Sequence, residues 1–468
     1  MKRGIIMREQ TKTSEKNPLQ SESVFRLMVR FAVPSILGML VTSLYNIVDQ
    51  LFIGHAVGIA GNTATNVAFP FTTACAALAL LFGIGGASCF NLTMGRGDRK
   101  QAGFFAGNSF TLLAVSGIIL GIVTLVFLDP LLKIFGTPAD VMPLAHDYVQ
   151  ITAIGFPFLI FTTGGGHLIR ADGSPQMAMI CNIVGAVVNT VLDALFVMVF
   201  RWGMVGAAWA TVIGQIVSSV IVVVYAFNYK TVSLGKEHLV IKPFISKRIA
   251  SIGMASFFNQ VAIGIVQVVL NNSLKHYGAL SKYGDSEPIA CCGIVMKVNM
   301  IIFAIVIGLA QGTQPIESFN YGAKQYDRVR KAYKLAVTVG AVISVIAFVM
   351  FHLFPREILS LFGSGTDTYY ELGEKFFKIF LFFTWLNCLQ PITATFFTSI
   401  GKPIKGVFLS LTRQIIFFMP LLLILPHFFR IDGIIYTGPV ADLLSAVVAV
   451  SMAVFEFRNI RKLEAENK

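Results

Sequence analysis

Charge is scarce in this chain of 468 residues: Asp, Glu, Lys and Arg make up 13% of it, about half the roughly 25% of an ordinary soluble domain. Cysteine is scarce too, and its six copies show neither CxxC spacing nor a nearby His cluster, so a metal knuckle or a disulfide framework is not expected. Cys75, Cys89, Cys181, Cys291, Cys292 and Cys388 read instead as small buried apolar residues. No glycine cluster runs into the GK[ST] of a phosphate-binding loop. The GxGD context of an intramembrane aspartyl protease is missing around Asp49 and Asp193, and no other catalytic constellation takes its place, so an enzyme is not expected. The opening MKRGIIMREQTKTSEKNP carries basic residues but no apolar h-region, which argues against a cleaved signal peptide and leaves Met1 and Met7 as alternative starts.

Apolar surface is abundant. Hydrophobic residues make up 55% of the chain, in runs of about twenty residues, the length that crosses a bilayer as a helix. Twelve spans are expected, near 27–54, 64–92, 105–127, 146–169, 176–200, 204–227, 248–275, 288–318, 333–353, 373–397, 404–426 and 434–456. The fold class is therefore an all-α integral membrane protein. The net charge of +13 does not point to nucleic acid once it is sorted by loop: of 37 Lys and Arg, 27 fall on one side, eight on the other, and Lys297 and Arg413 lie inside spans. The positive-inside rule then places both termini in the cytoplasm of a multi-pass membrane protein, with the lipid bilayer as its partner.

The chain repeats itself at an offset of about 227 residues. LLKIFG (131–136) pairs with ILSLFG (358–363), GSP (173–175) with GKP (401–403), GRGDRKQAG with GAKQYDRVRKA, and Val205-Gly206 with Asp432-Gly433. Six spans per repeat is an even number, so the repeats enter from the same side and form two pseudo-symmetric six-helix lobes related by an axis along the membrane normal. The expected boundaries are a tail at 1–24, an N-lobe at 25–227, a linker at 228–247, a C-lobe at 248–457 and a tail at 458–468. Pro34, Pro157, Pro391 and Pro420 interrupt spans, and each removes a backbone hydrogen bond. Gly117 and Gly121, with the clusters at 83–86 and 164–166, read as close helix packing.

Two carboxylates inside spans carry the functional signal. A charged side chain at the bilayer centre costs about 2.5–3.5 kcal/mol on insertion scales, so such residues turn inward and mark ion or proton sites. On span one, Ser35, Thr42 and Asp49 recur every seven residues with Asn46 beside them; on span five, Asn182, Asn189 and Asp193 share one face. With Thr211 on span six they offer hard oxygen donors, suited to sodium and not to zinc, and equally able to hold a proton. The second repeat has Pro420 where the first has Asp193. Asp442 reads as the only deep acid of the second lobe, paired with Arg413 or Lys297.

VPSIL (33–37), NIVDQLFIG (46–54), GASCFNLTMGRGDRKQAG (86–103), IRADGSPQMA (169–178), NTVLDALFV (189–197), GAAWAT (206–211) and QGTQPIESFNYGAK (311–324) together resemble the multidrug and toxic compound extrusion (MATE) family over nearly the whole chain, closest to its bacterial multidrug-exporter branch that includes the staphylococcal exporter. The resemblance implies a drug:cation antiporter, acting as a monomer without cofactor, that exports amphipathic, mostly cationic compounds against a proton or sodium gradient. It places a coupling-cation site at Asp49, Asn189, Asp193 and Thr211, with Pro34 as the bending point of helix one and no metal beyond Na+ at that site. A flexible Met and aromatic surface, with Phe156, Met177, Met296, Met300, Phe380 and the amide Gln390, is expected to line the substrate cavity. The alternative function is a lipid-linked oligosaccharide flippase of related architecture, which would need more charge facing the cavity than Lys297 and Arg413 provide. A passive channel would not need two repeated lobes with coupling acids in only one.

Overall fold

The structure is a computed structural model that describes residues 18–466 except 136, 140, 285–286 and 361–366. The two candidate starts, most of the expected N-terminal tail, and residues 467–468 lie outside the described residues. The N-lobe comprises α1 (Val24–Ala56), α2 (Ile59–Gly95), α3 (Arg99–Val126), α4 (Met142–Ala171), α5 (Pro175–Asp193, continued by a π-helical stretch Ala194–Val199) and α6 (Gly203–Phe227). The C-lobe begins with α7 (Pro243–Ala279), α8 (Glu287–Gly322) and α9 (Tyr326–Leu353). Its α10 runs from Asp367 to Ser399 but breaks into π and 3-10 turns between Lys375 and Leu389.

The last apolar segment, Pro403–Glu466, has 64 residues and would be about 96 Å long as one straight helix, three times a bilayer core. It folds back. Arg430 leaves the helical region with φ 53° and ψ −128°, and Arg413 Nε donates to Asp442 Oδ1 at 2.6 Å across the bend. The segment is thus two spans, α11 (403–429) and α12 (431–466), and the total among the described residues is twelve.

The repeat is visible in the turns. Gly97 and Lys324, Gly173 and Gly401, and Arg201 and Arg430 all have positive φ, between 53° and 87°, and each pair is separated by 227 to 229 residues. Pro175 and Pro403, two residues past the second pair, each open a helix where a missing N–H costs nothing. The lobes meet with the same symmetry. A Cβ on Gly95 would run into the Phe319 carbonyl and one on Gly322 into the Leu92 carbonyl, so α2 and α8 touch backbone to backbone through a contact that maps onto itself at an offset of 227. Gly308 and Gly312 of α8 likewise lie against Ile36 and Ala32 of α1, and Gly253 of α7 against Leu81 of α2. Within the N-lobe, Gly117 lies against Pro157 and Gly83 against Gly164, the close helix packing that their spacing implied.

Polar contacts on the same side close the seam. Arg170 Nη2 donates to Gln311 Oε1 at 3.1 Å and Gln314 Nε2 to Ser88 Oγ at 2.8 Å, both across the lobes. Both ends of the described residues lie on this face: Arg328 donates to the Leu19 and Glu22 carbonyls, and Arg330 pairs with Glu464 at 2.9 Å. The connection between lobes is strapped to the N-lobe at two points. Asp172 accepts from the Lys230 and Thr231 N–H groups and from the Thr231 and Tyr225 hydroxyls. Asn108 of α3 bonds to the His238 and Val240 carbonyls and the Lys242 N–H.

One expectation about the second lobe needs correction. Asp442 is not its only deep acid, because Glu317 is 1% and Glu456 0% exposed. Both lie at the ends of expected spans, where sequence position does not separate a solvated carboxylate from a covered one. Glu456 is held by Lys402 and Lys405, and Glu317 meets the Ser399 hydroxyl. The pairing of Asp442 falls to Arg413, while Lys297 stands exposed on α8.

Candidate functional site

Asp49 on α1 and Asp193 at the end of the α-helical part of α5 are 9% and 0% exposed, deep in the N-lobe. Their carboxyl groups lie within hydrogen-bonding reach of each other. Neither finds enough donors: Asp49 Oδ1 and both carboxyl oxygens of Asp193 have no hydrogen-bond partner. Two bare carboxylates in contact repel strongly in a low-dielectric interior, and buried acceptors without donors are costly. A proton or a small cation between them removes both penalties.

The surrounding groups extend the oxygen set. Asn189 Nδ2 donates to Thr211 Oγ1 at 3.3 Å, which leaves Asn189 Oδ1, also without a partner, free to face a cation. Tyr45 and Tyr148 stand close to Thr211 and to both carboxylates. The four residues named from the sequence are thus gathered in one place, and two tyrosines join them that sequence reasoning missed. Tyr45 precedes Asp49 by four residues and so shares its face of α1, which was a usable signal; Tyr148 on α4 gave none. Directly after Asp193 the backbone widens into the π-helical stretch Ala194–Val199, a distortion common at functional positions.

The remaining polar residues of the α1 stripe do not contribute. Ser35 donates to the Phe31 carbonyl, Thr42 to Gly38 and Asn46 to Thr42, so each is used on its own helix. Pro34 lies in an unbroken α1, between the Ala32 and Ile36 positions that touch α8. The C-lobe repeats the architecture without the acid pair: Pro420 replaces Asp193, and Asp442 pairs with Arg413 and, with the Asn387 amide nitrogen turned toward it, accepts from Asn387 at 3.0 and 3.2 Å.

The residues named for a substrate surface are not brought together. Phe156 is 2% exposed and stacks on Phe71, and Phe380, equally buried, packs edge-on against Phe418. These two belong to the separate cores of the lobes. Gln390 spends its amide on the Leu409 and Ser410 carbonyls, tying α10 to α11. Met177 and Met296 are partly buried against those cores, and only Met300, at 49%, is exposed. The reason is that an aromatic or thioether side chain fills a core as readily as it lines a cavity, and composition does not separate the two.

A family model described as MatE matches residues 34–195 and 265–424, one stretch in each lobe. The chain belongs to the MatE family. Among its relatives is the multidrug export protein MepA of Staphylococcus aureus (strain MSSA476), 25% identical over 450 residues that cover 94% of this chain and 95% of that protein. The MATE multidrug transporter DinF-BH, solved in complex with a bound compound, is 33% identical, with a TM-score of 0.87 over 96% of this chain and 98% of that one. An outward-facing MATE family transporter of the MOP superfamily, 22% identical with a TM-score of 0.89 over 96% of this chain and 99% of the other, shares the fold. MatE membership covers both the lobe that carries the acid pair and the lobe that lacks it.

Proposed function

We propose that the chain is a multidrug efflux transporter that expels amphipathic, mostly cationic compounds by alternating access, in exchange for protons or sodium ions that enter through Asp49 and Asp193. The names of its relatives support export of drugs, and DinF-BH, at 33% identity, is itself described as a multidrug transporter. The observation that carries ion coupling is the pair of buried carboxyls in contact without donors. Binding an ion there closes α1 onto α5; losing it lets the two acids repel.

The same α1 that carries Asp49 also forms the seam with α8 at Ala32 and Ile36. A shift of α1 at the acid pair is therefore felt at the lobe interface, and Pro34, whose ring removes a backbone bond between the two contacts, is the natural bending point. In this reading the lobes are 25–227 and 248–457, joined by the linker 228–247. The face with Leu19 and Glu464 is cytoplasmic, because it holds most of the Lys and Arg. A monomer suffices, since one chain supplies both lobes. Met300 and Met296, one turn apart on α8, offer a flexible apolar contact for flat cations.

The test is efflux of a fluorescent lipophilic cation from proteoliposomes under a proton gradient or a sodium gradient imposed separately. Wild type should follow one gradient, and Asp193→Asn and Asp49→Asn should each reduce coupled efflux at least 100-fold while the protein still inserts. Normal transport by Asp193→Asn would remove the coupling assignment. Transport of no cation under either gradient would remove the export reading.

A further inference from the structure

The face with Leu19 and Glu464 holds a cavity of about 1390 Å³ where the segment from Pro18 to Glu22, the ends of α2, α4 and α6 and the start of the linker meet, closed on one side by Phe319 of the C-lobe. Its walls are of two kinds. Phe31, Phe90, Met94 and Phe319 make it apolar, and three cations, Arg30, Arg99 and Lys230, stand in it against two carboxylates, Glu22 and Asp172. Both carboxylates are committed: Glu22 pairs with Arg30 at 3.4 Å, and Asp172 accepts the four hydrogen bonds that hold the linker. Among the described residues, the Arg99 guanidinium and the Lys230 ammonium have no acid partner. Phe227, which also lines the cavity, is 82% exposed at the end of α6, where a lipid-facing helix reaches the interface.

We propose that this cavity binds the headgroup of an anionic phospholipid from the adjoining leaflet, its phosphate taken by Arg99 and Lys230 and its glycerol and first methylenes lying on the aromatic wall. Basic pockets between spanning helices on the cytoplasmic side suit such headgroups, because each nearby cation adds attraction to an anionic surface. The chemistry excludes the exported class, since a cationic amphiphile would meet two unpaired positive charges. It also favours a lipid over a free anion, because inorganic phosphate has no use for the Phe31, Phe90 and Met94 wall. The site spans the lobes: Phe319 belongs to α8, and the N-terminal segment that lines the cavity is clamped to the C-lobe by Asn320 and Arg328 at Leu19. A bound lipid therefore favours the arrangement in which Gly95 and Gly322 touch. This proposal does not rest on the transport reading.

Thermal unfolding of the purified chain in neutral detergent, with phosphatidylglycerol, phosphatidylcholine or inorganic phosphate added, tests it on wild type, Arg99→Gln/Lys230→Gln and Arg99→Lys/Lys230→Arg. Phosphatidylglycerol should raise the wild-type midpoint more than phosphatidylcholine does. The neutralised pair should lose at least half of that difference with its lipid-free midpoint unchanged, and the charge-conserving pair should keep it. An equal response to both lipids in wild type, a full response in the neutralised pair, or an equal rise with phosphate alone would each overturn the lipid site. Should the neutralised pair fail to fold, native mass spectrometry of Lys230→Gln decides, because unchanged retention of phosphatidylglycerol relative to wild type also overturns it.

Discussion

Tyr45 and Tyr148 bring two hydroxyls close to Thr211, and Thr211 accepts from Asn189. This arrangement spends Thr211 and the Asn189 amide nitrogen on protein partners and leaves the Asn189 oxygen for an ion. Tyr45→Phe or Tyr148→Phe removes one hydroxyl while keeping the ring that fills the space. A hydrogen bond of this kind contributes about 0.5–1.5 kcal/mol, so each variant should raise the ion concentration for half-maximal transport about 2- to 10-fold with little change in maximal rate. A change in rate alone, with ion dependence untouched, would place these tyrosines outside the ion site. Asp49, Asn189, Asp193 and Thr211 were legible in the sequence because a polar group inside an apolar run has no cheap alternative to turning inward. The tyrosines were not, because an amphipathic ring is at home in a core, a cavity or an interface. The same ambiguity misplaced Phe156 and Phe380 among the 41 phenylalanines of the chain.

At the scale of elements, the twelve spans follow from hydropathy and length, and the repeat from short matches at one offset, since each records a backbone need at the same point of each lobe. What the sequence revealed only in part is where helices lose their regularity. The π-helical stretch after Asp193 sits in an apolar run with no marker of its own, whereas the break of α10 near Asn387 lies just ahead of Pro391 and the bend at Arg430 falls in the gap between the expected spans eleven and twelve. Arg430 shows the cost: φ 53° with ψ −128° is a region that L-residues other than glycine enter at a penalty of about 1–3 kcal/mol. Its exposed side chain forms no ion pair among the described residues. Arg430→Gly should therefore raise the unfolding free energy by about 1 kcal/mol, less than the strain because glycine also gains freedom in the unfolded chain. A fall in the thermal midpoint would mean that the arginine holds the bend through its side chain.

For the whole molecule, the lobes are joined most closely on one face, where Gly95 and Gly322 bring α2 and α8 into backbone contact and two glutamines of α8 reach into the N-lobe. Rocking of the lobes toward that face must break the Gln311 bond from Arg170 and the Gln314 bond to Ser88. Each broken bond exposes its partner to a seam in which it had been satisfied, so the pair acts as a latch whose strength sets how often the face opens. Cys89, one residue beyond Ser88 and 3% exposed, shares the α2 face of Gly85 and Leu92, which pack against α7 and α8, so opening of the seam uncovers it. In a chain whose other five cysteines are replaced by alanine, Gln311→Ala/Gln314→Ala should lower the opening free energy by about 1–2 kcal/mol. The rate at which a membrane-permeant maleimide labels Cys89 should rise about 5- to 30-fold. Arg170→Gln should move the rate in the same direction, since it loses the charge-assisted donor, and combining it with Gln311→Ala should add little because both remove one interaction. Fully additive rate increases would show that Arg170 and Gln311 stabilise the seam separately, and an unchanged rate in every variant would show that helix packing at the glycines, without the polar latch, keeps this face closed.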